Sequence, residues 1–176
     1  LALFLPACYY LIRVKLASWV CPLDLLRGTR DALVMAFSTA SSTATMPVTY
    51  AALRDKVKIR EESASMGALV GANFNNDGTA LYEAMSALFV AQMIGRTLPI
   101  EKQLLVVITS VFASVGAAGI PEAGLVTMTM VFNAVGLHTE YIVLLIAVDW
   151  FLDRCRTAIN VMGATKRAAE AYCQSL

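Results

Sequence analysis

The chain has 176 residues, 58% of them hydrophobic and only 15% charged, with a mean hydropathy of +0.64. Soluble domains carry roughly 25% charged and 45–50% apolar residues, so this composition is that of a membrane protein, with room for about six crossings of ~20 residues. Disorder and a secreted disulfide scaffold are excluded, and a net charge of +1 excludes a strongly basic nucleic-acid binder. Cys8, Cys21, Cys155 and Cys173 lack the C-x-x-C and His-interleaved spacings of zinc or redox sites and read as small apolar fillers.

In chain order, 1–20 is apolar except for Arg13 and Lys15. It reads as the end of a transmembrane helix with its cations at an interface, belonging to a longer protein. No charged n-region precedes it, so it is not a signal peptide. The block 32–53 has no ionisable residue, yet its centre reads STASSTATMP. Ser, Thr and the Pro47 imide leave backbone groups without helical partners there, which a bilayer tolerates only where the backbone is buried in protein or lines a wet cavity. A re-entrant helix–loop–helix over 22–55 is expected.

After the hydrophilic connector RDKVKIREES, the block 64–95 is interrupted by GANFNNDGT, where Gly78 would let the helix unwind. The block 101–137 is interrupted by SVGAAGIPEAG and reads as a second re-entrant hairpin. The last helix, 139–172, is apolar on one side, and its end from Thr165 reads as a surface helix. Broken block, interrupted helix, broken block and striped helix repeat in order, and two Gly/Pro-interrupted segments at corresponding places point to a transporter site at the bilayer midplane. The expected fold is an all-α membrane protein with two re-entrant hairpins and interrupted helices in an inverted repeat.

Asp149, Asp153, Arg156, Thr157 and Asn160 share one side of that helix at about 100° per residue. A charge at the bilayer centre costs at least about 2.5–3.5 kcal/mol, so three on one stripe need partners or water. One reading is a structural network in which Asp153 and Arg156 neutralise each other at i, i+3. The other is a ligand site in which Asp153 holds an ammonium and Arg156 a carboxylate in bidentate fashion, which suits an acidic amino acid. Arg154 points about 200° away from Arg156 and is assigned to the broken loop opposite or an interface.

Around this stripe, Asn75 to Thr79 offer amide and carboxylate oxygens suited to a hard cation, with a common Asn-Asp-Gly turn as the alternative. The tips Ala40–Thr43 and Gly116–Gly119 offer hydroxyls and amides near helix ends, which favour anions. Glu83 stands among apolar neighbours that favour its neutral form, making it a candidate proton carrier; otherwise it is a lipid-interface residue. His138 reads as a solvated loop residue, and Gly67-x-x-x-Gly71 as a weak helix-packing signal. No G-x-S-x-G, H-E-x-x-H, G-x-G-x-x-G or Walker loop is present, so no enzyme is indicated.

The runs STASSTATMP, GANFNNDGTALYEA, SVGAAGIPEAGLVTM and AVDWFLDRCRTAINVMG resemble, in order, the serine-rich hairpin, the N-M-D-G-T helix, the second hairpin and the last helix of the sodium-coupled glutamate/aspartate transporters, a family with neutral amino-acid exchangers and bacterial dicarboxylate symporters among its members. The resemblance covers 22–163. It implies a partial transport domain of a multi-pass plasma-membrane homotrimer that carries acidic amino acids coupled to sodium by alternating access, with protons as an optional further coupling ion. No organic cofactor or nucleic acid is implied. A sodium-impaired or proton-coupled relative, or a non-transporting fragment without the scaffold, is the alternative.

By the same resemblance, Ser41, Ser42, Thr43, Thr79, Ile120, Gly124, Asp153, Arg156, Thr157 and Asn160 match substrate contacts, and Glu83 matches a proton-coupling glutamate. Arg154 beside Arg156, with Ala40 uncharged, follows the animal members. Gly71, Asn75 and Asn160 match ligands of one sodium site; Asn75 and Asp77 match another; the carbonyls of Ser114, Val115 and Ala117 match a third. Asn73 stands where a threonine carbonyl helps to bind sodium, Asn76 replaces the methionine of N-M-D-G-T, and Ala164 replaces a sodium-binding aspartate.

Overall fold

A computed structural model describes residues 4–18, 20–117 and 122–174. The described residues form helices and no strand. The elements are α1 (Phe4–Ala17), α2 (Pro22–Gly28), α3 (Arg30–Thr39), α4 (Ser42–Ala51), α5 (Glu61–Ser65), α6 (Gly71–Phe74), α7 (Asp77–Met93), α8 (Ile100–Gly116), α9 (Ala123–Val135) and α10 (Val143–Gln174). A π-helical turn, Ala52–Lys56, follows α4, and a second, Met66–Val70, joins α5 to α6.

The long α10 is the axis. It packs against α1, α3, α4, α5, α6 and α7, while α7, α8 and α9 pack on one another beside it. Two cores result. Val90, Val106, Met128, Val131 and Phe132 are buried among α7–α9, and Val14, Leu25, Leu53, Ala64, Ala68, Ala168 and Ala169 are buried around the C-terminal half of α10.

Both sequence breaks appear as helical hairpins. Between α3 and α4 the chain turns at Ala40, which has a left-handed φ of 51°, and Ser41, whose hydroxyl accepts from the amide of Ala44 and caps α4. Pro47 does not make the break: it lies inside α4. Its missing N–H is tolerated there, and the Thr45 and Thr49 hydroxyls bond the Ser41 and Thr45 carbonyls on the same helix. At the hairpin base the Lys56 ammonium donates to Asp31. The second hairpin pairs α8 with α9; Ala118, Gly119, Ile120 and Pro121 at its tip lie outside the described residues.

Three expectations need correction. Gly78 does not unwind the helix. The unwound residues are Asn75 and Asn76, and Gly78 is already inside α7, where a Cβ would meet the Arg156 carbonyl at 2.8 Å. The end of α10 is not a surface helix, because Thr165, Lys166, Ala168 and Ala169 are buried against α1, α5 and the second π turn. The cysteines are not buried fillers: Cys8 and Cys21 are exposed and the other two half-buried, without disulfides. Among the described residues no helix is long and apolar enough to cross a membrane; α7 and α8 have 17 residues each, and the 32-residue α10 carries the polar stripe.

The Gly67-x-x-x-Gly71 signal is a packing face. A Cβ on Gly67 would overlap Ala168, and one on Gly71 would lie 2.8 Å from the Ala164 Cβ, so two glycines let this strand of chain close on two alanines of α10. Gly67→Leu should therefore destabilise the full-length protein by about 1–3 kcal/mol through overpacking. Gly116→Ala, where an added Cβ meets nothing within 4 Å, should be neutral. Thermal unfolding of both variants in detergent checks the contrast.

Candidate functional site

Midway along α10 the stripe is buried: Asp149, Asp153, Arg156, Thr157 and Asn160 are each no more than 6% exposed. The Arg156 guanidinium donates through Nη2 to Asp153 Oδ1, so the neutralising pair exists. Asp153 Oδ2 accepts a second bond, 3.0 Å, from the backbone N–H of Glu122. Glu122 has a left-handed φ of 60° immediately before α9. The carboxylate of α10 thus ties the second hairpin to the helix. Arg156 also lies 5.1 Å from the Tyr82 ring centroid, a cation–π contact, while its Nη1 is buried with no hydrogen-bond partner.

The first hairpin's tip and the residues that flank the second hairpin's tip meet this stripe. Ala40 and Ser42 from the first hairpin, Ala117, Ala123 and Gly124 from the second, Asn76 and Thr79 from the α6–α7 region, and Asp153, Arg156, Thr157 and Asn160 line one cavity of about 10 Å³, the space of a single water. A Cβ on Gly124 would overlap Arg156 Nη1, so only glycine lets α9 close on the guanidinium. Ser42 Oγ donates to the Ala72 carbonyl and buttresses the tip against α6. Thr157 Oγ1 donates to the Asp153 carbonyl, and Asn160 Nδ2 to Thr79 Oγ1 at 3.0 Å. Thr43 is on the exposed face of α4, away from the cavity. Ile120 lies outside the described residues.

Arg154, on the other side of α10, donates to the carbonyls of Phe37 and Ser38 at 3.1 and 2.7 Å. These are orphan carbonyls at the end of α3, where a cation is favoured. Glu83 is fully buried, not at an interface: Thr127 Oγ1 of α9 donates to its Oε1, and Oε2 has no partner. Residues that sequence reasoning missed fill the second rank. Tyr82 donates to Asp149 Oδ1 at 2.6 Å, Thr127 holds Glu83, and the Glu122 amide holds Asp153. Tyr82 and Glu83 follow Thr79 by one turn, which is the one signal that marked Tyr82.

The cation-site expectations divide. Around Asn76, oxygens converge: its Nδ2 donates to the carbonyls of Asn73 and Ser114, both at 2.9 Å. A half-turn about χ2 would bring the amide oxygen among those carbonyls, a set that fits a hard cation. Ala117 lies at the same helix end, and its N–H caps Ser114. Around Asn75 the oxygens are already taken. Arg167 Nε donates to Asn75 Oδ1 at 2.7 Å, Asn75 Nδ2 donates to the Asn160 carbonyl, and Asn160 Oδ1 accepts from Gly78 N. Asp77 accepts from the Tyr10 hydroxyl at 2.6 Å. Ala164 faces Gly71 and offers no oxygen. His138 is exposed, edge-on to Tyr141.

The model of the sodium:dicarboxylate symporter family matches residues 1–169. The chain belongs to that family. It is 48% identical over 161 residues to excitatory amino acid transporter 5 of Mus musculus, covering 92% of this chain and 28% of that protein. Excitatory amino acid transporter 2 of Homo sapiens is 45% identical over 170 residues, 97% of this chain and 29% of that protein. Excitatory amino acid transporter 1 of Ambystoma tigrinum is 46% identical over 159 residues, 90% and 28% respectively. The chain spans less than a third of the length of these relatives, which are transporters and not enzymes.

Proposed function

We propose that this segment is the substrate-binding share of a transport domain that carries acidic amino acids across the plasma membrane, coupled to sodium and protons. One observation carries the reading: a buried guanidinium half satisfied by a buried carboxylate, where the two hairpins meet. A buried ion pair costs desolvation that packed apolar residues would avoid, so its presence calls for a use. The names of the relatives, excitatory amino acid transporters, support the same substrate class.

Chemically, the pair is poised for exchange. An acidic amino acid brings an ammonium and two carboxylates, of which the ammonium and the side-chain carboxylate each replace one member of the Asp153–Arg156 pair. Asp153 then holds the ammonium, and Arg156 takes the side-chain carboxylate through Nη1, which is unpartnered now, and Nη2. Thr157, Asn160, Thr79 and the Ser41–Ser42 tip hold the remaining polar atoms. The cavity of about 10 Å³ is too small for such a molecule, so loading requires the second hairpin to withdraw from Asp153 and Gly124 from Arg156, as a lid does. Sodium, when bound, supplies positive charge that favours order between the α6–α7 break and the end of α8. Asn73, Asn76 and Ser114 would hold it.

The membrane setting rests on the surface. Leu104, Val107, Ile108, Val111 and Phe112 of α8, and Val143, Leu144, Ile146 and Trp150 of α10, are all exposed, two apolar faces that water does not favour. We read the hairpins 22–55 and 101–137 as re-entrant, the segments 1–20, 64–95 and 139–172 as spanning, and the full-length protein as a homotrimer.

Arg156→Cys in the full-length protein should abolish glutamate and aspartate binding while small neutral amino acids retain some, because Asp153 survives. Equal loss of both classes in a binding assay would sink the assignment. Glu83 faces Thr127 of α9 and lies in the field of Arg156 of α10. Glu83→Gln should leave exchange of bound for free substrate intact and remove the pH dependence of net uptake, measured in proteoliposomes; an unchanged pH profile places the proton elsewhere.

A further inference from the structure

We propose that Arg167 is a built-in cation at the α6–α7 break, standing where the family resemblance puts a sodium ion, so that this chain has given up sodium binding at that position. The inference rests on the transport reading for its consequence, but not for its geometry.

Asn75 is 1% exposed and belongs to the unwound pair of residues between α6 and α7. At the break the buried Asn75 amide oxygen needs a partner, and either an N–H group or a cation can serve. Here the group is covalent: the Arg167 guanidinium, one turn beyond Ala164 on α10, donates to Asn75 Oδ1 at 2.7 Å. The other two expected ligand carbonyls already accept hydrogen bonds, that of Asn160 from Asn75 Nδ2 and that of Gly71 from the Asn75 N–H at 2.9 Å. A sodium ion held by Gly71, Asn75 and Asn160 would have to displace an N–H donor, sit beside a permanent positive charge and do so without the carboxylate that Ala164 lacks. Each of these opposes binding.

Asn75 is buried but Arg167, which reaches it, is exposed. With Gly71, Asn75 and Glu170 it lines a cavity of about 270 Å³ beside the second π turn. Glu170 is paired with Arg13 at 3.3 Å and Lys166 at 3.8 Å, and among the described residues no carboxylate pairs with Arg167. The carbonyl set around Asn76 is separate and retains its capacity. Substrate binding in this chain would therefore depend on fewer sodium ions than the full set of expected sites implies.

Restoring the site takes two changes. Ala164→Asp alone places a carboxylate at i, i+3 from Arg167, where the two would pair, and the sodium response should stay as in the unmodified protein. Ala164→Asp with Arg167→Gly should lower the sodium concentration for half-maximal stabilisation by at least about tenfold, equivalent to ~1.4 kcal/mol. The readout is the unfolding temperature of the full-length protein without substrate, titrated with sodium chloride against choline chloride at constant ionic strength. An identical titration for the unmodified and doubly changed proteins overturns the proposal. Should the double variant not fold, Arg167→Gln keeps an N–H donor for Asn75 but removes the charge, and must shift the sodium titration several-fold in the same direction; no shift overturns the proposal. Failure of the transport reading would show separately, as absence of aspartate binding to the unmodified protein.

Discussion

Two opposite charges buried on one turn of α10 set the terms for everything around them. Neither Asp153 nor Arg156 reaches water, and removing either partner of such a pair costs about 3–5 kcal/mol because the survivor is left uncompensated. The surrounding fold supplies what the pair lacks. The Glu122 amide satisfies the second carboxylate oxygen, the Tyr82 ring faces the guanidinium, and Gly124 makes room for it. The second hairpin is consequently held to α10 by the same groups that a ligand would claim. Binding and hairpin movement are coupled through shared hydrogen bonds, with no separate signal required.

The small residues follow from that arrangement. Gly67 and Gly71 bring the π turn and α6 against Ala164 and Ala168, Gly78 lets α7 touch the Arg156 carbonyl, and Gly163 leaves room for the Asn75 side chain. These contacts hold the α6–α7 break against the middle of α10. Asn75 and Asn160 then bond across it, and Thr79 is brought to the cavity. The exposed end of α3 in the first hairpin is fixed from the opposite side of α10, where Arg154 answers its last carbonyls. Neighbouring arginines on one helix thus serve different hairpins because 100° per residue sends them apart.

Much of this was legible from residue types and spacing. The stripe on α10 follows from helical periodicity, the hairpins from polar residues inside apolar blocks, and the role of Arg154 from its angle. What was not legible depends on contacts between distant elements. Tyr82, Thr127 and the Glu122 amide act across the packing of α7, α9 and α10, and of the three only Tyr82, one turn beyond Thr79, carries any local mark. Pro47 misleads because a proline inside an apolar block suggests a break, whereas α4 absorbs it. Thr43 misleads because the link Ala40–Ser41 turns its side chain outward. The end of α10 looks polar in sequence, yet Ala168 and Ala169 form the buried face while Lys166 lays its ammonium 5.1 Å from the Tyr10 ring centroid. The Arg167–Asn75 bond joins positions 92 residues apart, and only the fold reveals it.

The central claim is that Asp153 and Arg156 exchange each other for the ammonium and the side-chain carboxylate of an acidic amino acid. The most direct measurement compares the affinities of aspartate and succinate, which differ by the amino group, in the unmodified full-length protein and in Asp153→Asn. The unmodified protein should prefer aspartate by roughly 10–150-fold, the worth of one charge-assisted bond of ~1.5–3 kcal/mol, and Asp153→Asn should bring the two ligands to near parity. A preference for aspartate that survives Asp153→Asn undiminished would show that the ammonium is held elsewhere, and would contradict the account.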